Sequence, residues 1–273
     1  MTEDLENNPK LWQSHLPKAD KDCNKYRRGH AMIVGGYPLT GAARLAATAA
    51  ARVGAGLTTV IVPEIAFPIY AAALTSVMVR PFNTADIFTA LISDKRISAF
   101  LVGPGADVSI ETRQHALSIL STGKPVVLDA GAISVFEDDL PSLKSAIKGN
   151  CVMTPHDGEL GRLFQLGRNR VDSAKNAAHE SGAIIVLKGR ETIIAAPNGE
   201  VIINRNAPAT LATAGSGDVL AGIITGLLAQ DMAPFLASAA AVWLHGEAAN
   251  QFGFGLIAED LPSLLPKVLN ILL

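Results

Sequence analysis

Residues 31–63 read AMIVGGYPLTGAARLAATAAARVGAGLTTVIVP. An apolar run at 31–36 and another at 57–63 flank an alanine-rich segment at 41–56 that stops at glycine. This order predicts a strand, a helix and a second strand. The predicted strands are continuously apolar, as expected when helices cover both faces of a parallel sheet. Because the alternation continues along the chain, we predict an α/β fold with a three-layer, doubly wound, mostly parallel sheet.

The chain has 273 residues, enough for one large domain. Residues 1–28 are polar and contain Pro9 and Pro17, so we assign them to an N-terminal arm. Residues 29–273 contain no long linker rich in proline, glycine or serine, and we predict that they form a single domain.

Composition and charge exclude several classes of protein. A net charge of −2, from 23 basic and 25 acidic residues, provides no basic surface for nucleic acid. A membrane-spanning helix needs about 20 apolar residues, and the longest uncharged apolar run, residues 65–79, is shorter and contains Pro68. The N-terminus lacks the features of a signal peptide, and Cys23 and Cys151 have no zinc-site spacing. We therefore predict a soluble, cytoplasmic protein with neither a nucleic-acid nor a membrane partner.

Glycine-rich or polar loops follow four of the predicted strands. They are Gly35-Gly36, Gly103-Pro104-Gly105, Thr154-Pro155-His156 and Lys188-Gly189-Arg190. In a doubly wound sheet the ligand binds beyond the carboxyl ends of the strands. These loops, although far apart in sequence, are therefore expected to meet at one edge of the sheet. The first loop is not a GxGxxG sequence and gives no support to a redox dinucleotide site.

Residues 214–222, AGSGDVLAG, place small residues in front of Asp218 and an apolar helix. Glycines let backbone amides approach a ligand closely, and a helix N-terminus favours anions. Asp218 could therefore act as a general base toward a hydroxyl group that attacks a phosphoryl group. The local sequence equally allows Asp218 to be only a helix cap. It is not a Walker loop, because no GK[ST] sequence follows.

Two further loops carry charged residues after a strand. In residues 154–159, TPHDGE, His156 and Glu159 lie three positions apart on one helix face, where Glu159 could hold Mg²⁺ through water. On this sequence alone, a capping box made by Glu159 beside a surface histidine is favoured.

In residues 188–192, KGRET, two cations and a glycine suit a nucleotide phosphate. Taken alone, an ordinary solvated turn is the favoured interpretation of that loop.

Together these motifs resemble the ribokinase-like superfamily, and within it the family of NAD(P)H-hydrate dehydratases. The family's motifs follow one another in the family's order over about residues 26 to 250. The matching residues are Gly35-Gly36, Gly41-Ala42-Ala43, Gly54-Ala55-Gly56-Leu57, Gly103-Pro104-Gly105, Leu128-Asp129-Ala130, Thr154 to Glu159, Lys188-Gly189, and Leu211 to Gly222. Several motifs in a fixed order are more specific than any one of them, so they favour the functional interpretation of each.

The resemblance implies removal of water from the (S)-hydrates of NADH and NADPH (NADHX and NADPHX). The reaction is driven by ADP in bacterial members and by ATP in eukaryotic ones. It proceeds through phosphorylation of the 6-hydroxyl group and elimination of phosphate. Asp218 would deprotonate that hydroxyl group, and the amides of Gly215, Ser216 and Gly217 would hold the phosphoryl group.

The family pattern also implies the remaining site residues. The residues expected to contact the hydrate are Ala42, Gly105, His156 and Asp218. Adenine-nucleotide contacts fall on Lys188, Gly189, Arg190, Glu191, Thr192 and Gly217. Glu159 would hold Mg²⁺ through water, and the expected assembly is a homotetramer.

The chain departs from the family pattern in two places and leaves other functions open. Arg28-Gly29-His30 stands where many members have HKG, and Tyr37 stands where many have the serine of GGS. The arm is too short for the epimerase domain of many members, so we expect a dehydratase alone. A superfamily kinase for a vitamin precursor, such as hydroxymethylpyrimidine or hydroxyethylthiazole, would share Asp218 and the anion hole. A non-catalytic nucleotide sensor is disfavoured by the intact residues 215–218.

Overall fold

The computed structural model describes residues 4–18 and 23–273, so parts of the predicted arm, residues 1–3 and 19–22, lie outside the described residues. Within the described residues, ten strands form one sheet. Its strands are β1 (Leu5–Glu6), β2 (His30–Val34), β3 (Leu57–Pro63), β4 (Met78–Phe82), β5 (Ala99–Val102), β6 (Val126–Leu128), β7 (Cys151–Met153), β8 (Ile184–Leu187), β9 (Thr192–Ala195) and β10 (Val201–Asn204).

The sheet is mostly parallel, as predicted. Its strand order is β1-β10-β9-β8-β7-β6-β5-β2-β3-β4, and β9 runs antiparallel to both of its neighbours. The chain moves outward from β2 to β4 and then returns to the other side of β2 with β5. A ligand crevice is expected at this switch point, and the loops Gly35-Gly36 and Gly103-Pro104-Gly105 follow the two strands that form it.

Helices cover both faces of the sheet. In the described chain they are α1 (Thr40–Arg52), α2 (Phe67–Ala73), α3 (Ala85–Ile92), α4 (Ile110–Leu120), α5 (Gly131–Ser134), α6 (Leu140–Ala146), α7 (Asp157–Leu163), α8 (Arg170–Ser181), α9 (Ser216–Ala229), α10 (Pro234–Phe252) and α11 (Leu261–Leu272). Short 3-10 helices lie at Pro9–Leu11, Gln13–His15, Glu64–Ala66 and Ala209–Leu211. Over the ranges 4–18 and 23–273, every helix falls short of the length and apolarity that a bilayer crossing requires.

Alternate side chains of the strands belong to two separate hydrophobic cores. In β2, Ala31 and Ile33 join the core that contains α1, α9 and α10, whereas Met32 and Val34 join the core that contains α4, α7 and α8. A strand between two cores is apolar at nearly every position, and the buried Thr58 and Thr59 of β3 are exceptions. This explains the continuous apolar runs and confirms the predicted three-layer α/β fold.

Close packing of α1 against α9 fixes where α9 begins. Gly222 of α9 faces the backbone of α1, and a Cβ atom there would overlap the carbonyl oxygen of Ala46. One turn later, a Cβ atom at Gly226 would overlap the side chain of Val53. The two glycines therefore let the helix axes approach closely. Since α9 starts at Ser216, this contact also positions Asp218 in its first turn.

Part of the predicted N-terminal arm belongs to the sheet and to the core. β1 pairs in parallel with β10 at the sheet edge. Trp12 is fully buried and packs against Trp243 of α10, with ring centroids 5.7 Å apart. The polar sequence around these residues indicates an arm. Its few apolar side chains are nevertheless enough to attach the segment to the sheet edge and to α10.

Candidate active site

The N-terminus of α9 carries the candidate base. Gly215 is the N-cap residue, and its φ of +87° is a left-handed conformation that glycine adopts readily. Asp218 lies in the first turn of the helix and not at the N-cap. Its half-buried carboxylate therefore does not have the capping role that the local sequence also allows.

The surroundings of Asp218 suit a general base. Burial and, to a smaller extent, the carboxylate of Asp129 raise the pKa of Asp218 to about 6, against the opposing effect of the ammonium group of Lys188. A base is most effective when its pKa lies near the working pH. Near neutral pH, Asp218 is therefore mainly ionised and still basic enough to accept a proton.

Lys188 forms a buried ion pair beside this turn. Its Nζ lies 2.8 Å from Oδ1 of Asp129, which also accepts a hydrogen bond of 2.7 Å from Oγ1 of Thr154. Burial disfavours the charge of Lys188, but the carboxylates of Asp129, Glu159 and Asp218 together outweigh this effect, and the pKa of Lys188 is raised. A Cβ atom at Gly217 would lie 3.6 Å from Nζ. The cation therefore lies beside the N-terminus of α9, where an anion would be held. The Ser216 amide there also donates to the carbonyl oxygen of Thr213 at 3.3 Å.

A cavity of about 910 Å³ opens beside these residues, within the usual range for small-molecule sites. Its lining contains all five residues of the predicted nucleotide loop: Lys188, Gly189, Arg190, Glu191 and Thr192. Ser216 and Gly217 also line it, whereas Gly215 does not. The rest of the lining is largely apolar and includes Pro208, Leu211, Leu220 and Val242. We call this space the large cavity.

Arg170, at the start of α8, is hydrogen-bonded to the backbone of the nucleotide loop, residues 188–192. Its guanidinium donates to the carbonyl oxygens of Lys188, at 2.8 Å, and Glu191, at 2.6 Å. It also pairs with Asp157 at 2.8 Å. The sequence does not indicate this role, because nothing near Arg170 points to partners about twenty positions away.

His245, on α10, also lines the large cavity and was not predicted as a site residue. It is 7% exposed, and its Nε2 has no hydrogen-bond partner within the described part of the chain. Burial lowers the pKa of His245 to about 4, so the imidazole is neutral near neutral pH. The available signal, a lone histidine on an apolar helix, more often marks a core residue.

The predicted hydrate contacts lie apart from the lining of the large cavity. Ala42 and Gly105 meet, because a Cβ atom at Gly105 would lie 3.4 Å from that of Ala42. His156 is the N-cap residue of α7 and forms an isolated parallel bridge with Lys188. Ala42, Gly105, His156 and Asp218 are not among the described residues that line the large cavity. The structure therefore links His156 to the nucleotide loop, and Ala42 to the crevice between β2 and β5.

Glu159 makes the capping box that its sequence alone favours. Its Oε2 accepts a hydrogen bond of 2.9 Å from the His156 amide, while Nδ1 of His156 accepts from the Glu159 amide at 3.2 Å. Residues 4–18 and 23–273 contain no group of three or more His, Cys, Asp or Glu side chains that could hold a metal directly. Mg²⁺ in nucleotide sites keeps several waters and uses phosphate oxygens. The other oxygen of Glu159, Oε1, lies 3.7 Å from Nε2 of His156 and would be the one to make such a water-mediated contact.

A family model of the NAD(P)H-hydrate dehydratases matches residues 31–268. The chain belongs to this family. Among curated members, a bifunctional NAD(P)H-hydrate repair enzyme from Moorella thermoacetica is 37% identical over 94% of this chain and 52% of its own length. An ADP-dependent (S)-NAD(P)H-hydrate dehydratase from Bacillus subtilis is 31% identical over 93% of both chains. The chain spans about half the length of the bifunctional relatives.

Solved structures of the dehydratase family have the same fold. The ADP/ATP-dependent NAD(P)H-hydrate dehydratase from Bacillus subtilis, co-crystallized with ATP and Mg²⁺, gives a TM-score of 0.86 with 28% identity over 100% of both chains. A ribokinase-like superfamily protein from Enterococcus faecalis gives a TM-score of 0.88 with 25% identity, over 98% of this chain and 96% of its own. The ribokinase-like fold and the dehydratase family predicted from the sequence are both confirmed.

Proposed function

We propose that this protein repairs hydrated nicotinamide cofactors by dehydrating the (S)-hydrates of NADH and NADPH with ADP or ATP. The observation that carries the proposal is the position of Asp218. Its half-buried carboxylate, with a pKa raised to about 6, stands beside Lys188 and the glycine-rich N-terminus of α9. A base next to an anion hole is what transfer of a phosphoryl group to a hydroxyl group requires.

The first step is phosphorylation of the 6-hydroxyl group of the hydrate. Its oxygen attacks the terminal phosphorus of the nucleotide, and Asp218 accepts the hydroxyl proton. The bond from that phosphorus to the bridging oxygen breaks, and AMP leaves when ADP is the donor. Lys188 and the amides of residues 215–217 stabilise the negative charge. Mg²⁺, held through water by Glu159, would neutralise phosphate charge when bound.

The second step is elimination of phosphate. Phosphate leaves with the electron pair of its bond to the ring carbon, and the departing phosphate takes up the proton that is lost from the neighbouring ring carbon. The double bond of the dihydropyridine is thereby restored. This step depends on a good leaving group more than on a strong base, so Asp218 is sufficient as the acid–base residue.

The large cavity would hold the adenine nucleotide. Its apolar wall suits the base, and Lys188 to Thr192, with Ser216 and Gly217, suit the phosphates. The hydrate would approach from the crevice at Ala42 and Gly105, past His156. Its hydroxyl group would then meet Asp218 at the end of the nucleotide.

We also propose a homotetramer in the cytoplasm. Leu39, Val108 and Ile110 are large apolar side chains that are exposed by 65%, 67% and 69%, and a second copy could cover them. Cys23 and Cys151 are unpaired, which suits a reducing compartment. The mass of the purified protein by light scattering tests the assembly; a monomer would contradict it.

Product analysis separates dehydration from the alternatives. With NADH hydrate, Mg²⁺ and ADP, we expect equal amounts of NADH, inorganic phosphate and AMP. A stable phosphorylated product from hydroxymethylpyrimidine or hydroxyethylthiazole, without regeneration of NADH, would indicate a vitamin-precursor kinase instead. Nucleotide binding without turnover of any hydrate would indicate a sensor.

A further inference from the structure

A chain of asparagines connects the N-terminal segment to α10. Nδ2 of Asn7 donates to Oδ1 of Asn204 at 2.9 Å, and Nδ2 of Asn204 donates to Oδ1 of Asn206 at 2.8 Å. Nδ2 of Asn206 then donates to the carbonyl oxygen of Trp243 at 2.9 Å. Three consecutive amide groups thus join the residue after β1, the end of β10 and the middle of α10.

This chain runs between two walls of the large cavity. One wall is the loop of residues 205–212, and Asn206 lies between its lining residues Arg205 and Ala207. The other wall is α10, where Val242 and His245 line the cavity on either side of Trp243. The asparagine chain therefore holds the loop to the helix without lining the cavity itself.

Asn7 is the buried end of the asparagine chain, and both the nitrogen and the oxygen of its side-chain amide are hydrogen-bonded. It is 6% exposed. Besides Asn204, its Nδ2 donates to the carbonyl oxygen of Ala239 at 2.8 Å, and its Oδ1 accepts from Nε1 of Trp12 at 3.0 Å. Removing one partner of a buried hydrogen bond leaves the other unpaired and costs more than the bond's net contribution. The positions of Asn204 and Asn206 therefore depend on Asn7.

A glycine of α10, Gly246, leaves room for the asparagine chain. A Cβ atom at Gly246 would overlap the amide group of Asn206. A second, exposed connection follows the same route: Arg205 donates to Glu191 at 2.9 Å and lies 3.8 Å from Glu6 of β1. Exposed pairs contribute little individually, so the buried amides are the main connection.

We propose that Asn7 is a positioning residue of the nucleotide site. It sets the spacing between the loop of residues 205–212 and α10, although it touches no ligand. The inference rests on the proposed assignment of the large cavity to the adenine nucleotide. The N-terminal segment is then part of the nucleotide site and not an appendage.

Steady-state kinetics of Asn7→Ala test the proposal, with Asn8→Ala as the matched control. The Asn8 side chain bonds within its own segment, to Glu6 and Lys10. We expect Asn7→Ala to raise the KM for ADP about tenfold, as loss of a buried amide anchor allows, and to leave kcat and the KM for the hydrate nearly unchanged. Asn8→Ala should change none of them. A merely structural residue would lower the melting temperature without this selective effect on ADP.

A milder variant keeps the test decisive if Asn7→Ala does not fold. Trp12→Phe keeps a ring against Trp243 but removes the N–H group that holds Oδ1 of Asn7. We expect it to weaken ADP binding severalfold in calorimetric titrations. An unchanged Kd and KM for ADP in the folded variants would overturn the inference.

Lys188→Ala distinguishes this inference from the assignment on which it rests. If Lys188→Ala weakens ADP binding and the Asn7 and Trp12 variants do not, the role of Asn7 is wrong and the cavity assignment stands. If Lys188→Ala also leaves the KM for ADP unchanged, the cavity does not hold the nucleotide, and both proposals fail.

Discussion

Replacing Asp218 by asparagine should abolish turnover and at the same time stabilise the fold. Burial, together with the nearby carboxylate of Asp129, raises the pKa of Asp218 from 3.8 to about 6. A carboxyl group whose pKa is higher in the folded than in the unfolded protein destabilises the fold when it is ionised. Asparagine has nearly the same shape without the charge, so it removes this penalty.

The size of the effect follows from the pKa difference. A difference from 3.8 to about 6 corresponds to ~3 kcal/mol. Partial exposure of the side chain reduces the expected value to about 1–2 kcal/mol. The penalty is absent below about pH 3, where the group is protonated in both states, grows as the pH rises, and is complete above about pH 7. The free energy of unfolding of Asp218→Asn should therefore exceed that of the wild type by the full amount at about pH 8 and by only about half of that amount at about pH 5.

Urea unfolding of wild type and variant at these two pH values measures the gain. Asp86→Asn is the matched control, because Asp86 also lies in the first turn of a helix, α3, but is exposed. It should lose a few tenths of a kcal/mol at about pH 8, as expected for a charge at a helix N-terminus. If Asp218→Asn loses stability like Asp86→Asn, or keeps wild-type turnover, Asp218 is not a base held at a cost to the fold.

Three further predictions concern the same site. The kcat/KM should rise with pH through an apparent pKa of about 6; a flat profile between about pH 5 and 8 would contradict this. Lys188→Met leaves Asp129 buried and unpaired, so urea unfolding should show a loss of about 3 kcal/mol, against about 0–1 kcal/mol for the exposed Lys144→Met. Gly222→Ala should cost about 2 kcal/mol by forcing α1 and α9 apart, whereas Gly41→Ala, with open space around it, should not destabilise; equal effects would refute the packing argument.

The order of strands and helices could be predicted from local patterns. β2, α1 and β3 lie within a residue or a few of the positions that residues 31–63 indicate. A strand between two cores is mostly apolar, and a glycine often follows the end of a helix. Both patterns are visible in neighbouring residues of the sequence. The loops at the strand ends could be predicted for the same reason, because parallel strands share one carboxyl edge.

Individual side-chain contacts between distant segments could not be predicted. Arg170 acts on the nucleotide loop, His245 reaches the large cavity from an apolar helix, and Asn7 bonds to Asn204 across 197 positions. Each role depends on a partner brought near only by the complete fold. Asp129 belongs to a recognisable motif, yet its ion pair with Lys188, 59 positions away, is visible only in the structure.

Regeneration of NADH from its hydrate can be followed by absorbance. The hydrate lacks the dihydropyridine band, so purified protein is mixed with chemically prepared NADH hydrate and Mg²⁺, with ADP, with ATP and without nucleotide. We expect the band to appear with a nucleotide and to stay absent without one, or when Asp218→Asn replaces the wild type. No absorbance change from folded wild-type protein that binds ADP would contradict the proposed dehydration.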